Sequence, residues 1–316
     1  MATAEQIKAL INSHYDDKDE RFYSVALQVA AHEARQGHIV LANEIKTLLD
    51  KKKKKNDAVY ISISPELVGV VIVQESKTLL SSMVISNELR DRIKRIIQEY
   101  RQRDRIKSFG LSHRRKILLI GPPGTGKTMT ANVLAKELSL PLYTIQVDQL
   151  VTKFLGETSA KLRLIFDLIQ QEPGVYFFDE FDAIGTKRSM DNDVGEMRRV
   201  LNAFLQFIEH DNSDSLIIAA TNNPNLLDHA LFRRFDDILN YCLPTINERK
   251  MLIQNILGTF LSKDFNWDKV LFECEGKSQA EIDNSCKDAI KEAILSDKEK
   301  VNESTLLKYI KERNLP

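Results

Sequence analysis

An eight-residue segment, GPPGTGKT at residues 121–128, constrains the fold of this chain more than any other feature. It fits the pattern G-x-x-x-x-G-K-[ST] and directly follows the apolar residues 117–120. In this pattern a buried strand enters a loop whose backbone N–H groups surround phosphate, and the N-terminus of the next helix faces the same phosphate. The sequence therefore predicts a strand, a phosphate-binding loop and a helix over residues 127–138.

The loop residues have separate predicted roles in binding a nucleotide, which we expect to be ATP. The glycines let the backbone turn inward around the phosphates. Lys127 is predicted to bridge the β- and γ-phosphates, and the hydroxyl of Thr128 is predicted to bind Mg²⁺. The loop residues predicted to contact ATP are Gly121, Pro122, Pro123, Gly124, Thr125, Gly126, Lys127, Thr128 and Met129.

Two adjacent carboxylates follow a second apolar run, at residues 175–178. Asp179 ends this predicted strand, and we expect it to contact both the nucleotide and its Mg²⁺, opposite Thr128. Glu180 comes next, and we expect it to act as the general base toward an attacking water. Together with the loop, the two carboxylates predict hydrolysis of ATP rather than phosphate transfer to a small molecule.

Composition disfavours several classes of protein. Lys plus Arg and Asp plus Glu number 45 each, so net charge gives no reason for attraction to nucleic acid or to an anionic membrane. The cysteines Cys242, Cys274 and Cys286 lack C-x-x-C spacing, which predicts neither a zinc site nor a disulfide framework. No apolar run approaches the roughly 18 to 20 residues that span a bilayer. We expect a soluble, cytoplasmic protein.

The spacing of apolar residues divides the chain into four predicted parts. Residues 1–55 predict a small all-α docking domain, which ends in five lysines that are interpreted as a solvated spacer, with nucleic acid as the alternative. Residues 56–78 predict a linker or a small β-hairpin. Residues 79–244 predict a large nucleotide-binding subdomain, and residues 245–316 predict an all-α lid.

Predicted strands and helices alternate within the large subdomain. This order predicts an α/β fold, the P-loop NTPase architecture of a parallel sheet with helices on both faces, which binds its ligand at the C-terminal ends of the strands. The predicted strands cover residues 117–120, 142–146, 175–178 and 216–219. The predicted helices cover residues 87–103, 127–138, 159–170 and 195–209, and in the lid residues 248–261, 279–296 and 303–313.

These motifs resemble the AAA family of ATPases over about residues 79–316. Ala-Thr-Asn follows the fourth predicted strand, and the resemblance implies that Asn222 contacts the nucleotide and orients the attacking water. Adjacent Arg233 and Arg234 resemble the arginines of the katanin, spastin and endosomal-sorting branch. The resemblance implies that they act on the γ-phosphate bound by a neighbouring subunit, and it leaves open which of the two contacts phosphate.

A second resemblance concerns the loop before the predicted helix at residue 159. Phe154, Leu155 and Gly156 are similar to the first pore loop of AAA members that thread polypeptides, with an ordinary core pair as the alternative. The resemblance implies that these residues line a central channel and grip an extended chain by apolar contact. Lys187 and Arg188 match a second pore loop by location only.

The lid contains a segment that parallels the family signature G-x-S-G-A-D-[IL]. It lies at residues 276–282 and departs from the signature at Gln279 and Glu281. The resemblance implies nucleotide contacts there through the backbone and Ala280, without a catalytic arginine.

The resemblance implies a homo-oligomeric ring, hexameric in this family, that hydrolyses ATP to remodel a protein client. A nucleotide-dependent switch or scaffold remains an alternative, because the layout also resembles bacterial AAA ATPases paired with subtilisin-like proteases in toxin–antitoxin or phage-defence systems. A DNA-acting loader is a further alternative, which the neutral charge disfavours.

Overall fold

The computed structural model describes residues 64–150, 155–182, 193–227, 229–262 and 264–313, together with parts of residues 25–44. The chain forms two compact units, Met1–Ser62 and Ile63–Pro316. In the first unit, described positions between residues 25 and 44 are largely helical, and Ala26, Val29 and Ala30 are buried. They belong to the segment 1–55, which was predicted to be all-α, whereas the five-lysine run lies outside the described residues.

A six-stranded sheet forms the centre of the second unit. Its strand order is β1-β3-β4-β5-β2-β6, with β1 antiparallel to β3 and every other pair parallel. The strands are β1 (Val71–Gln74), β2 (Lys116–Ile120), β3 (Leu142–Ile145), β4 (Val175–Phe178), β5 (Leu216–Thr221) and β6 (Asp237–Asn240).

The four predicted strands are confirmed, whereas β6 was not predicted and β1 was expected only as part of a possible hairpin. β1 lies in the segment interpreted as a linker or hairpin, and it joins the main sheet with Val71 opposite Ile145. The other half of that possible hairpin, residues 59–63, lies outside the described residues. β6 pairs with β2 on the other side of the sheet. Both outer strands have only four residues and are partly exposed. β6 has a polar residue at each end, so it lacks a continuous apolar pattern.

The seven predicted helices are all present, and four short helices were not predicted. The helix after the predicted pore loop begins at Leu155, four residues earlier than expected. The unpredicted helices are Arg103–Ser108, Val147–Leu150, His229–Phe232 and, in the lid, Trp267–Glu273. The α-helices are α1 (Asn87–Arg101), α2 (Arg103–Ser108), α3 (Lys127–Leu138), α4 (Val147–Leu150), α5 (Leu155–Gln171), α6 (Asp193–His210), α7 (His229–Phe232), α8 (Ile246–Leu257), α9 (Trp267–Glu273), α10 (Gln279–Leu295) and α11 (Glu303–Glu312).

Alternating side chains of the central strands bury both faces of the sheet. Ile117 and Leu119 of β2 pack into a hydrophobic core with residues of α1 and α3. Phe178 of β4 faces the other way, with ring centroids 6.4 Å from Phe166 of α5 and 5.2 Å from Phe204 of α6. This two-residue alternation confirms the predicted α/β architecture with helices on both faces.

The C-terminal helices have a hydrophobic core of their own. It includes Ile253 and Leu257 of α8 and Ile282 and Cys286 of α10, all essentially inaccessible to solvent. Among the described helices, none is both long enough and apolar enough to cross a bilayer.

A buried ion pair fixes the start of β2. The Arg115 guanidinium donates to the side chain and to the backbone carbonyl of Asp211, whose carboxylate is fully buried. Removing one partner of such a pair leaves an uncompensated charge in a site that water cannot reach.

We expect Asp211→Asn to lower the free energy of unfolding by about 3 kcal/mol, because Arg115 loses its counter-charge. The control is Asp91→Asn, which removes an exposed ion pair with Lys94 (3.5 Å) and should cost less than about 1 kcal/mol. Parallel urea denaturation of the two variants measures the difference. Equal losses would contradict the structural role assigned to the buried pair.

Candidate nucleotide-binding site

The glycine-rich loop connects β2 to α3 at the C-terminal edge of the sheet. The N–H of Gly121 donates to the Thr221 carbonyl at the end of β5 (3.3 Å), and the N–H of Tyr241 donates to the Ile120 carbonyl (2.7 Å). A Cβ atom on Gly121 would collide with the backbone carbonyl of Tyr241. Only glycine therefore fits where the loop leaves the strand.

Lys127 begins α3 and is buried at 7% exposure. Its ammonium donates to the carbonyls of Gly121 (2.7 Å) and Pro122 (2.8 Å). Burial lowers the pKa of Lys127, and the nearby carboxylates of Asp179 and Asp182 partly oppose that shift. An ammonium has three donors, so beyond these two carbonyls of the described chain one proton remains for a phosphate oxygen.

Thr128 and Asp179 lie together although 51 residues separate them. The Thr128 hydroxyl donates to Asp179 Oδ2 (3.1 Å), while Asp179 Oδ1 accepts from the N–H of Glu180 (2.9 Å). A hydroxyl and a carboxylate are oxygen ligands of the kind that Mg²⁺ prefers. The pair therefore fits the ion predicted from the sequence.

Glu180 has an unusual backbone conformation for a residue with a side chain. Its φ is +50°, in the left-handed region that costs non-glycine residues roughly 1–2 kcal/mol. The next residue holds this turn in place, since the Phe181 N–H donates to the Ala220 carbonyl (2.8 Å) and its ring is fully buried. The turn leaves Glu180 exposed immediately beyond the buried strand β4. Strain of this kind is common where a side chain has a chemical role.

These residues line a cavity of about 920 Å³ between the loop and the C-terminal helices. Its volume lies within the range of about 300–1,000 Å³ typical of small-molecule sites. Gly121 and Pro122 are not among the lining residues, but their carbonyls accept hydrogen bonds from the Lys127 ammonium. The predicted residues that line the cavity are Pro123, Gly124, Thr125, Gly126, Lys127, Thr128, Met129, Asp179, Glu180 and Asn222.

The lid contacts the loop directly at Gly124. The N–H of Ala280, at the start of α10, donates to the Gly124 carbonyl (3.0 Å). Gly124 has a φ of +74°, and a Cβ atom there would lie 2.6 Å from the Ser278 hydroxyl oxygen. The loop and the lid therefore approach each other more closely than any side chain at residue 124 allows.

Glu281 replaces the aspartate of the family signature, and it still stabilises the start of α10. Ser278 caps the helix by accepting from the Glu281 N–H (3.3 Å), and the Glu281 carboxylate accepts from the Ser278 N–H (2.7 Å). Hydrogen bonds from Ser278 hold the pKa of Glu281 below its usual value. The S-x-x-E spacing of this capping box was readable in the sequence as a helix start.

Several cavity residues were not found by sequence reasoning. They come from the segment before α1 and from lid helices α8 and α10, and apart from Gln279, which lies in the signature segment at residues 276–282, no local motif marks them. They include residues 81–85, Leu252, Asn255, Ile256, Gln279, Asp283 and Lys287.

Arg233 and Arg234 lie away from the cavity, near the opposite end of β2. The Asp236 N–H donates to the Lys116 carbonyl (2.8 Å), and the Asp236 carboxylate accepts from the N–H groups of Arg115 and Lys116 (both 2.9 Å). The rise of β2 separates this end from the loop by roughly 13 Å, at about 3.3 Å per residue. The structure therefore does not bring the two arginines to the loop of their own chain.

The predicted pore-loop residues are only partly described. Phe154 lies outside the described residues, as do Lys187 and Arg188, while Leu155 and Gly156 form the first turn of α5. Their role in a channel stays a prediction.

Comparison with known proteins places these features in a family. Residues 117–243 match the family model "ATPase family associated with various cellular activities (AAA)". The chain is 34% identical to "Uncharacterized AAA family ATPase y4kL" of Sinorhizobium fredii over 316 residues, covering 96% of this chain and 93% of the relative. It belongs to the AAA family of ATPases. It accordingly binds and hydrolyses ATP.

Other relatives match a shorter part of the chain. "Proteasome-activating nucleotidase" of Methanoculleus marisnigri is 34% identical over 211 residues, covering 64% of this chain and 51% of the relative. "Meiotic spindle formation protein mei-1" of Caenorhabditis elegans is 36% identical over 182 residues, covering 55% of this chain and 38% of the relative. The chain thus spans about half of the first of these relatives and less than half of the second.

We expect Gly124→Ala to weaken ATP binding about tenfold or more, because the new Cβ strains the loop and displaces Ser278. Gly110→Ala is a matched control, since Gly110 has almost the same φ (+73°) but open space around its Cβ position. Both variants carry the cost of an alanine in the left-handed region, and only Gly124→Ala adds a clash with the lid. Titration with a fluorescent ATP analogue should detect weaker binding only at Gly124, and equal affinities would contradict the close loop–lid contact.

Proposed function

We propose that this AAA ATPase is an ATP-driven remodeller of a protein client, working as a homo-oligomeric ring that is hexameric as in the family it resembles. The observation that carries the proposal is the position of Arg233 and Arg234, roughly one strand length from the phosphate-binding loop of the same chain. A neighbouring chain would provide a loop within reach of Arg233, which is exposed, and of Arg234, which is half-buried.

Within one chain, we assign separate roles to the residues of the cavity. Lys127 binds the β- and γ-phosphates, and the Thr128 hydroxyl and Asp179 carboxylate hold Mg²⁺. When bound, Mg²⁺ neutralises the charge that develops on the phosphates. Glu180 accepts a proton from the attacking water, and Asn222 orients that water.

The arginines supply positive charge to the γ-phosphate bound by the next subunit. An arginine delivered in this way stabilises the charge on the transferring group and makes turnover depend on assembly. Because β2 is a buried strand paired on both sides, it cannot bend to bring its two ends together. This rigidity favours action between chains over action within one chain.

The names of the relatives support a protein client. One refers to activation of the proteasome and another to formation of the meiotic spindle, both of which are protein assemblies. In our proposal, Phe154 and Leu155 of each subunit contact the client in the channel, and the N-terminal helices select it. The alternative, a nucleotide-dependent switch that regulates a partner such as a protease, requires assembly but no threading through Phe154.

Action between subunits predicts complementation on mixing. Glu180→Gln chains keep the arginines but lack the base, while Arg233→Ala/Arg234→Ala chains keep the base but lack the arginines. Each variant alone should retain less than about 1% of wild-type turnover. In a mixture, a site with an intact base can face intact arginines, so phosphate release should rise well above the sum of the separate rates.

The control for this experiment is a mixture of Glu180→Gln with Lys127→Ala/Arg233→Ala/Arg234→Ala. Here no chain offers an intact loop together with an intact base, so no rescue is expected. If the rates in the first mixture are only additive although both chains are present in the same assembly, the arginines do not act on the site of a neighbouring subunit.

A trapped complex tests whether the client is threaded. Glu180→Gln should bind ATP without turning it over and so retain the client in pull-downs from native lysate, read by mass spectrometry. Adding Phe154→Ala should release the client, whereas adding Phe109→Ala should not, because Phe109 is an exposed phenylalanine elsewhere on the second unit. Equal capture by all three proteins would favour the switch over the remodeller.

A further inference from the structure

One face of the lid helix α10 forms part of the wall of the nucleotide cavity. Gln279, Ala280, Asp283 and Lys287 line the cavity, and a spacing of three or four residues places them on the same side of the helix. Asp283 and Lys287 form an ion pair, with Lys287 Nζ 2.6 Å from Asp283 Oδ2. Among the described lining residues, these two are the charged ones to which the proposed function gives no role.

The position of Asp283 along α10 places it beyond the phosphate-binding loop. The Ala280 N–H donates to the Gly124 carbonyl, and Asp283 follows one helical turn later, roughly 4.5 Å farther along the helix axis. Lys127 and Thr128 mark the end of the cavity where the phosphates bind. In a nucleotide the sugar follows the phosphates, and the base follows the sugar. A carboxylate one turn beyond the loop therefore lies at the level of the sugar.

The apolar part of the same cavity suits the base. Residues 83–85 are buried at 2% to 8% exposure, and Leu252 and Ile256 of α8 line the cavity with them. Small-molecule sites commonly combine such apolar walls with a few polar groups that fix the orientation of the ligand. Asp283 is 31% exposed, so it lies on the more open side of the cavity, which suits the polar sugar.

The Asp283 carboxylate has an acceptor oxygen left for the sugar. Oδ2 accepts from the Lys287 ammonium, whereas Oδ1 accepts no hydrogen bond from the part of the chain that the structure describes. A carboxylate only accepts hydrogen bonds, and a hydroxyl group donates one. In dinucleotide-binding folds an acidic residue holds a ribose hydroxyl in this way. Lys287 also offsets the negative charge that would otherwise repel the phosphates.

We propose that the Asp283 carboxylate accepts a hydrogen bond from a ribose hydroxyl of the bound nucleotide, so that this ATPase prefers ribonucleotides to deoxyribonucleotides. Asp283 is then a specificity-determining residue, and Lys287 orients its carboxylate. The inference rests on the part of the proposed function that places ATP in this cavity. It is independent of the ring and of the protein client.

Removing either partner of this hydrogen bond tests the inference. ADP, 2′-deoxy-ADP and 3′-deoxy-ADP are compared by calorimetric titration with Mg²⁺, because the enzyme does not consume them. The wild-type protein should bind at least one of the deoxynucleotides about tenfold more weakly than ADP, as expected for a hydrogen bond to a charged group. Asp283→Ala should bind ADP about tenfold more weakly and lose that preference, so that the ratio of the two Kd values falls to about one.

The matched control is Asp288→Ala. Asp288 lies on the same helix, is similarly exposed (27%) and pairs with Lys291 (3.0 Å), but it does not line the cavity. This variant should keep the wild-type preference for ADP. A ratio of Kd values within one protein does not depend on the fraction of folded protein, so a purely structural effect of Asp283→Ala would leave the ratio at its wild-type value.

An unchanged preference in Asp283→Ala, or no preference in the wild type, would overturn the inference. A change in the preference for ADP over GDP, without a change in the preference for ribose, would also overturn it, since Asp283 would then contact the base. Lys127→Ala separates these results from a failure of the proposed site, because it should abolish ADP binding. Normal affinity in that variant would mean that the nucleotide binds elsewhere, and the site assigned under the proposed function would fail as well.

Discussion

The pairing of β2 with β5 on one side and β6 on the other is the constraint on which both ends of the molecule depend. At the C-terminal end, Ile120 lies opposite Thr221, so the glycine-rich loop and Asn222 emerge side by side. At the other end, Lys116 binds Asp236 through its backbone N–H and carbonyl. Because β2 is buried and hydrogen-bonded along its length, the loop and the arginine segment keep a fixed separation.

The cavity lies between two hydrophobic cores that pack independently. One core joins the sheet to α1 and α3, and the other joins the C-terminal helices to one another. The Ala280–Gly124 hydrogen bond connects the two parts beside the cavity, and one such bond contributes only about 1 kcal/mol. This bond is weak compared with the burial that holds either core together.

The sequence alone predicted those residues of the site that belong to short, continuous motifs. The loop residues, Lys127 and Asp179 belong to local patterns that combine a buried strand with a required chemistry, and the structure brings them together. On the lid face of the cavity, the signature segment at residues 276–282 pointed to Ala280, but the other lining residues depend on how α8 and α10 pack against the loop, for which no short pattern exists. β6 escaped prediction and β1 was expected in a hairpin rather than in the main sheet for a related reason, since the neighbouring strand decides where a four-residue outer strand pairs.

Binding and turnover have different structural requirements in the proposed ring. Lys127, Thr128 and Asp179 come from one chain, so a single subunit has the side chains needed to hold the nucleotide. Glu180 is held beside them in a left-handed turn by the buried Phe181, which places the proposed base before any partner arrives. The positive charge needed at the γ-phosphate sits at the far end of a strand that cannot bend. In the proposed ring, assembly would bring the arginines of one subunit to the nucleotide of the next. Hydrolysis would then depend on the contact between subunits.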